Sequence, residues 1–284
     1  MTNCFFVSDL HGKKDRFVKL FELIERNTPG IVFIGGDILP HFGMIMKEGN
    51  DFNFIDGFLL YQFQQLRTTL KERYPKIFLI MGNDDARNEE EYFLEGEDLG
   101  LYHYINQRVV KYGKYLIFGY SFIPPSPFQL KDWEKYDVSR YVDPGCIHPT
   151  EGFRTTEVNE DIEYASIQSD LESMTMDINL ENSIFLFHSP PYDTFLDRAA
   201  LDGQMIDHVP LDVHVGSIAI KRFIEERKPY ITMHGHIHES CRLTGQWMEE
   251  IGQTVAFNAA HDGPELSLIT FEIENPGKAK RLLL

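Results

Sequence analysis

Asn3-Cys4-Phe5-Phe6-Val7-Ser8-Asp9-Leu10-His11-Gly12 decides how the rest of this chain is read. A short apolar run bounded by turn-forming residues suits a strand buried on both faces. Here the run ends in a carboxylate and an imidazole two residues apart, so both could face one side where strand gives way to loop. Alone the triplet is weak evidence, because a strand-end Asp is commonly a helix cap or turn residue.

Working outward, the same event recurs four times. Residues 31–34 (Ile-Val-Phe-Ile) end at Gly35-Gly36-Asp37, and Lys76 to Ile80 leads into Met81-Gly82-Asn83-Asp84-Asp85. Ser183 to Phe187 delivers His188, and Tyr230-Ile231-Thr232-Met233 runs into His234-Gly235-His236-Ile237-His238. Each terminus has an ordinary reading as a turn, an Asx motif or a satisfied structural histidine. The histidine cluster is the sharpest: imidazoles at period two share a face if the segment is extended, and metal binding is the leading explanation for crowding them.

Between these strands, Phe17, Leu20, Phe21 and Ile24 repeat at helical spacing until Thr28-Pro29-Gly30 breaks the pattern, which gives a βαβ unit with a right-handed crossover expected. Leu59, Phe63, Leu66 and Leu70 predict a second helix, Ile220, Phe223 and Ile224 another, and residues 107–122 a hairpin around Tyr112-Gly113-Lys114. Strands over Thr254 to Ala260 and Leu266 to Glu274 are read as closing the chain. Residues 38–53, 124–160 and 192–216 carry Pro, Gly, Asp and aromatics without a steady period, which marks insertions in one domain over residues 1–284 and a substrate-shaping rim. From Thr155 to Asp197 there is no Lys or Arg, and the acidic residues there read as the solvated face of a helix through Ile167, Leu171 and Met174.

Forty-four acidic against 27 basic residues give a formal charge of −17, which argues against a general nucleic-acid surface. Bound cations would offset carboxylates locally and supply the positive charge that a phosphate needs. The N-terminus has neither a signal-peptide core nor a membrane span, so a soluble, cytoplasmic protein with no membrane partner is expected. Cys4, Cys146 and Cys241 lie far apart with no CxxC spacing and read as reduced thiols.

The ordered set DLHG, GGD, GND, H and GHIH resembles the calcineurin-like metallophosphoesterase superfamily, whose pattern is DxH, GD, GNH, H and GHxH. The match runs from position 9 to 238 with all five blocks in order. The resemblance implies an α/β fold, a four-layer α/β/β/α sandwich with two mixed sheets and two divalent metal ions at the carboxyl ends of its strands. By motif position Asp9, His11 and His238 would hold one metal, Asn83, His188 and His236 the other, and Asp37 would bridge them. Such ligands suit Mn, Fe, Zn or Ni without choosing among them. The implied activity is hydrolysis of a phosphate-ester small molecule by metal-activated hydroxide. His234 lies outside the family pattern and reads as structural.

One position departs. Where the family has the GNH histidine this chain has Asp84, and an ionised carboxylate repels phosphate unless its pKa is raised. That tilts the expectation toward phosphodiesters over monoesters, with Asp84 itself or a loop histidine, His214 ahead of His208, as proton donor. A free helix N-terminus after His214-Val215-Gly216-Ser217 could receive an anion, although capping by Ser217 explains the segment more simply. A phosphomonoesterase or protein phosphatase, and a non-catalytic binding scaffold of the same fold, are the alternatives.

Overall fold

The computed structural model describes residues 1–41 and 54–284. Most of the 38–53 stretch read as an insertion therefore lies outside the described residues. In chain order the elements are β1 (Asn3–Val7), α1 (Lys14–Asn27), β2 (Ile31–Gly35), α2 (Tyr61–Leu70), β3 (Lys76–Ile80), α3 (Glu90–Asp98), β4 (His103–Tyr104), β5 (Val109–Tyr112) and β6 (Tyr115–Tyr120). There follow α4 (Ile167–Met174), β7 (Ser183–Phe187), the small hairpin β8 (Met205–Ile206) and β9 (Val209–Pro210), α5 (Ile218–Arg227), β10 (Ile231–His234) and α6 (Ser240–Thr244). The last strands are β11 (Met248–Ile251), β12 (Thr254–Asn258), β13 (Ser267–Glu272) and β14 (Asn275–Leu283).

Two six-stranded sheets result, ordered β14-β13-β1-β2-β3-β4 and β11-β12-β10-β7-β6-β5. Both are mixed: β1, β2, β3 and β4 run parallel while β13 and β14 pair antiparallel, and β6, β7, β10 and β12 run parallel between antiparallel β5 and β11. Alternation along each strand explains the layering. Cys4 and Phe6 join Phe33, Ile117, Leu186 and Met233 in a core between the sheets. Phe5 and Val7 point the other way, into a core shared with Phe17 and Leu20 of α1, and Phe185 and Phe187 meet Ile220 and Phe223 of α5 on the outer face of the second sheet. Helix, sheet, sheet and helix thus stack in four layers, the α/β sandwich expected.

One expectation fails at the C-terminus, where β14 follows the strand read as last. Its Lys278, Lys280 and Arg281 interrupt any apolar pattern, because an edge strand uses charge to block further pairing. The helix read through Ile167, Leu171 and Met174 forms with Ile167 and Leu171 buried. Of the acids read onto its solvated face, however, Glu157, Glu160, Asp161 and Glu163 precede it, and Glu160 and Asp170 instead bind Lys135 at 2.6 and 2.8 Å.

Candidate metal centre

The parallel strands deliver their carboxyl ends to one edge of the sandwich, the place where open α/β sheets bind ligands. Asp9 follows β1, Asp37 follows β2, Asn83 follows β3, His188 follows β7, and His236 and His238 follow β10. The loops interlock through backbone bonds: Asp9 N–H donates to the Gly36 carbonyl at 3.0 Å, His11 N–H to Asp37 at 2.8 Å, and Gly235 N–H to His188 at 2.9 Å. Gly82 is required by this closeness, since a Cβ there would stand 2.3 Å from Asp37 Oδ1.

All seven side chains converge. His238 Nε2 lies 3.1 Å from both Asp9 Oδ1 and His11 Nε2, and His11 Nε2 is 3.7 Å from Asp37 Oδ2. The other Asp37 oxygen, Oδ1, is 3.4 Å from His188 Nε2, which is itself 3.0 Å from Asn83 Oδ1. The His188 and His236 rings are 5.3 Å apart. Asp37 therefore turns one oxygen toward each half of the cluster. The convergence does not come from an extended alternation: Asp9, His11, Asp37 and His236 all have positive φ, 57°, 48°, 50° and 69°, a left-handed backbone that non-glycine residues seldom adopt.

The donor set fits divalent cations on a specific observation. His188 Nδ1 is 2.8 Å from the Gly35 carbonyl, which has no proton to give, so Nδ1–H donates and fixes the tautomer. In the neutral ring Nε2 then presents a lone pair to two more acceptors, Asn83 Oδ1 and Asp37 Oδ1. His11 Nδ1 is buried with no hydrogen-bond partner among the described residues, although Asp84 Oδ2 is 3.3 Å away. Bare acceptors aimed at one another are what a cation relieves. Asp9, His11, Asp37 and His238 place ligand atoms within 4.8 Å of one another.

Electrostatics agree. Burial raises the Asp9 carboxyl, but the His238 hydrogen bond and nearby imidazoles outweigh it and hold the group at about 2. Burial likewise opposes ionisation of Asp37, and His188 overrides it, leaving Asp37 well below the usual carboxylate range. Burial lowers His188 while Asp37 lifts it to about 9, the mark of a site that attracts positive charge. Burial, then the neighbouring His188, drives His236 down to about 3, keeping that ring a neutral donor.

The remaining sequence candidates separate. His234 turns away from the cluster: Nδ1 donates to the Ser189 carbonyl at 2.8 Å, Nε2 is 2.9 Å from Thr232 Oγ1, the ring stacks on Phe187, and burial lowers its pKa to about 4. His214 lines the same cavity as His11, Asp37, Asn83, His236 and His238, yet its contacts are Asp197 at 2.8 Å, Asp193 at 3.6 Å and the Tyr192 ring. The helix N-terminus at Ser217 already holds an anion: Ser217 caps it through Ile220 N–H, and the Asp137 carboxylate accepts from Ile218 N–H at 2.6 Å. Asp84 lies at the cluster's mouth, its Oδ2 hydrogen-bonded to His41 Nδ1. The His41 ring stacks on His11 at 4.3 Å between centroids, and His11, His41 and Asp84 form a second group able to hold a cation. Sequence reading missed His41; the signal was an imidazole four residues past Asp37 in Gly35-Gly36-Asp37-Ile38-Leu39-Pro40-His41.

Comparison with known proteins supports one family. Residues 3–240 match the model for calcineurin-like phosphoesterases. The uncharacterised protein MJ1162 of Methanocaldococcus jannaschii is 37% identical over 82 residues, a match that covers 28% of this chain and spans only 32% of that relative's length. TT1561 of Thermus thermophilus superposes with a TM-score of 0.57 at 14% identity over 99% of this chain and 98% of its own, and another solved chain reaches 0.60 at 15% with the same coverage. Motif order, four-layer fold and the matched residues lead to one conclusion: the chain belongs to the calcineurin-like phosphoesterase family.

Proposed function

We propose that this chain hydrolyses phosphate esters with two divalent cations, and takes phosphodiesters ahead of monoesters. Asp9, His11 and His238 would hold one cation, Asn83, His188 and His236 the other, with Asp37 shared. Bound cations supply Lewis acidity that polarises phosphoryl oxygens and activates water. The observation carrying the diester preference is the charge of the cavity that contains the cluster: its lining includes Asp37, Asp84, Asp137, Asp143, Asp212 and Glu239 and, among the described residues, no Lys or Arg. Asp9 and Asp37 offset only two of the four positive charges of such a pair, but the further acids of the wall, with no side-chain cation among its described residues, weigh against the second charge of a monoester, whereas a diester carries one charge.

We further assign the leaving-group proton to His41 rather than to Asp84 directly. Asp84 faces His41 Nδ1 and holds the ring stacked on His11 at the cavity mouth. An imidazole oriented by a carboxylate keeps a proton at hand for an alkoxide, and Nε2 is the atom left to deliver it. His214, held by Asp197 at 2.8 Å and lining the same cavity, is the second candidate for this transfer.

Purified protein loaded with Mn2+, and in parallel with Zn2+, Ni2+ and Fe2+, is assayed on bis(4-nitrophenyl) phosphate and 4-nitrophenyl phosphate. A higher kcat/KM for the diester is expected, with Asp84→His narrowing the gap. His41→Ala should cost roughly 10²-fold on an alkyl leaving group and far less on 4-nitrophenolate, which departs without a proton. A faster monoester would refute the preference, and equal losses on both leaving groups would remove His41 from proton transfer.

A further inference from the structure

Five of the cluster residues, His11, Asp37, Asn83, His236 and His238, line part of a cavity of about 1190 Å³, larger than the roughly 300–1,000 Å³ of ordinary ligand pockets. A phosphodiester head needs only the end where His11, Asp37, His236 and His238 lie. The remainder is walled by the two insertions, residues 124–146 on one side and 199–211 on the other. They meet across it, for a Cβ on Gly145 would stand 2.3 Å from Ile206 Cδ1.

Between its acids the wall carries large apolar side chains where solvent-facing surface is normally polar. Phe128, Tyr141, Phe153 and Ile206 line it at 54%, 69%, 44% and 37% exposure. Large apolar side chains scattered singly need no explanation, but several gathered around one cavity mark a binding surface. Pro124, Pro125, Pro127 and Pro144 add apolar surface with little conformational freedom to lose. Two polar groups of this wall are already engaged, since Ser126 Oγ donates to Glu134 and Asp137 caps α5, while Asp143 and Asp212 keep its edge acidic. With no Lys or Arg among the described residues of the lining, the wall offers a polyphosphate chain nothing.

We infer that the substrate is a phosphodiester with a long hydrocarbon arm, the arm lying along the wall formed by the two insertions while phosphorus sits at the Asp/His cluster. This rests on the phosphoesterase reading above and extends it to the substrate class. In the reaction one P–O ester bond breaks, a water oxygen forms the new P–O bond, one water proton goes to the leaving oxygen and the other is released. The products are an alcohol and a phosphomonoester, one of which keeps the hydrocarbon arm.

The test is a series of alkyl 4-nitrophenyl phosphodiesters, methyl, butyl, octyl and dodecyl, given to the Mn2+-loaded full chain. We expect kcat/KM to rise at least about tenfold from methyl to octyl, against a ceiling of roughly fourfold per buried methylene. Ile206→Asp and Phe128→Asp should pull the octyl-to-methyl ratio toward one; the wild-type series decides alone should a variant not fold. Calorimetric titration with dioctyl phosphate gives a readout independent of turnover, with binding and a negative heat-capacity change expected. Binding without cleavage of any ester would overturn the phosphoesterase reading and leave the hydrocarbon wall standing. Equal cleavage of methyl and octyl esters, a cyclic nucleotide preferred over the octyl diester, or no binding of dioctyl phosphate would overturn the inference and leave the cluster's chemistry untouched.

Discussion

Asp85→Asn tests how the cluster is held. Asp85 is completely buried next to Asp84, and its carboxylate accepts three backbone N–H groups: Leu39 at 2.7 Å on Oδ1, Ile38 at 3.1 Å and Gly82 at 2.8 Å on Oδ2. Ile38 and Gly82 flank Asp37 and Asn83, so one carboxylate ties two of the proposed ligand loops together. Burial, then repulsion from Asp37, pushes this carboxyl up to about 7 against the pull of those three N–H groups. An amide keeps one acceptor oxygen and can satisfy the Oδ2 pair, but its NH2 then faces the Leu39 N–H. The Leu39 N–H and the amide's own NH2 facing it are left without an acceptor, which costs about 1–3 kcal/mol. Relief of the charge repulsion with Asp37 works the other way, so we expect a net loss near the low end, about 1 kcal/mol. Asp85→Ala strands all three donors and should cost on the order of 3 kcal/mol or more. Metal affinity is the more sensitive readout, since disturbing groups that orient ligands typically costs about 10–100-fold. Urea unfolding of the metal-free protein and calorimetric titration with Mn2+ measure the two effects separately. An Asn variant that binds Mn2+ as tightly as wild type would refute the idea that Asp85 positions Asp37 and Asn83.

Three further outcomes are expected. Gly82→Ala drives a Cβ into Asp37 Oδ1 and should abolish high-affinity binding of Mn2+ by calorimetry while far-ultraviolet circular dichroism stays that of wild type. Lys131→Met leaves Glu134, fully buried and 2.6 Å from the Lys131 ammonium, without its cation, and should lower unfolding free energy by about 3–5 kcal/mol in urea. Chelation with EDTA should lower Tm and Mn2+ should restore it, a cation at 100 times its Kd contributing about 2.7 kcal/mol; a Tm insensitive to both would contradict cation binding in the folded state.

The fold was legible because parallel strands buried on both faces are written as continuous apolar runs, and Phe5-Phe6-Val7, Ile31-Val32-Phe33-Ile34 and Ile184-Phe185-Leu186-Phe187 carry no other signal. The seven cluster residues were legible because each follows such a run and the five termini recur in one order, although each alone has an ordinary reading. What escaped notice has physical causes too. β14 reads as polar because edge strands are charged. His41 sits in a stretch without period, and its meaning comes only from Asp84 and His11, 43 and 30 positions away in the chain. Asp85 looks like one more acid in a run, and Lys131 with Glu134 looks like surface charge, until burial shows each to be a tie within the irregular layer above the sheets.

The left-handed backbone at Asp9, His11, Asp37 and His236 sharpens what the cluster implies. Each such residue costs about 1–3 kcal/mol relative to an ordinary backbone, and four of them meet in this one cluster. The surrounding bonds over-determine these conformations: Asp9 N–H and His11 N–H are held by the Gly36 and Asp37 carbonyls, His236 N–H by the Asp9 carboxylate at 3.1 Å, and the Asp9 carbonyl by Arg16 Nη1 at 2.6 Å. Thr28 and Lys228 take the same conformation simply to end helices, whereas these four take it where their donor atoms meet. A scaffold could keep the fold with glycine at all four positions and relax it; a chain that binds cations cannot, because the donor atoms belong to the side chains that glycine lacks.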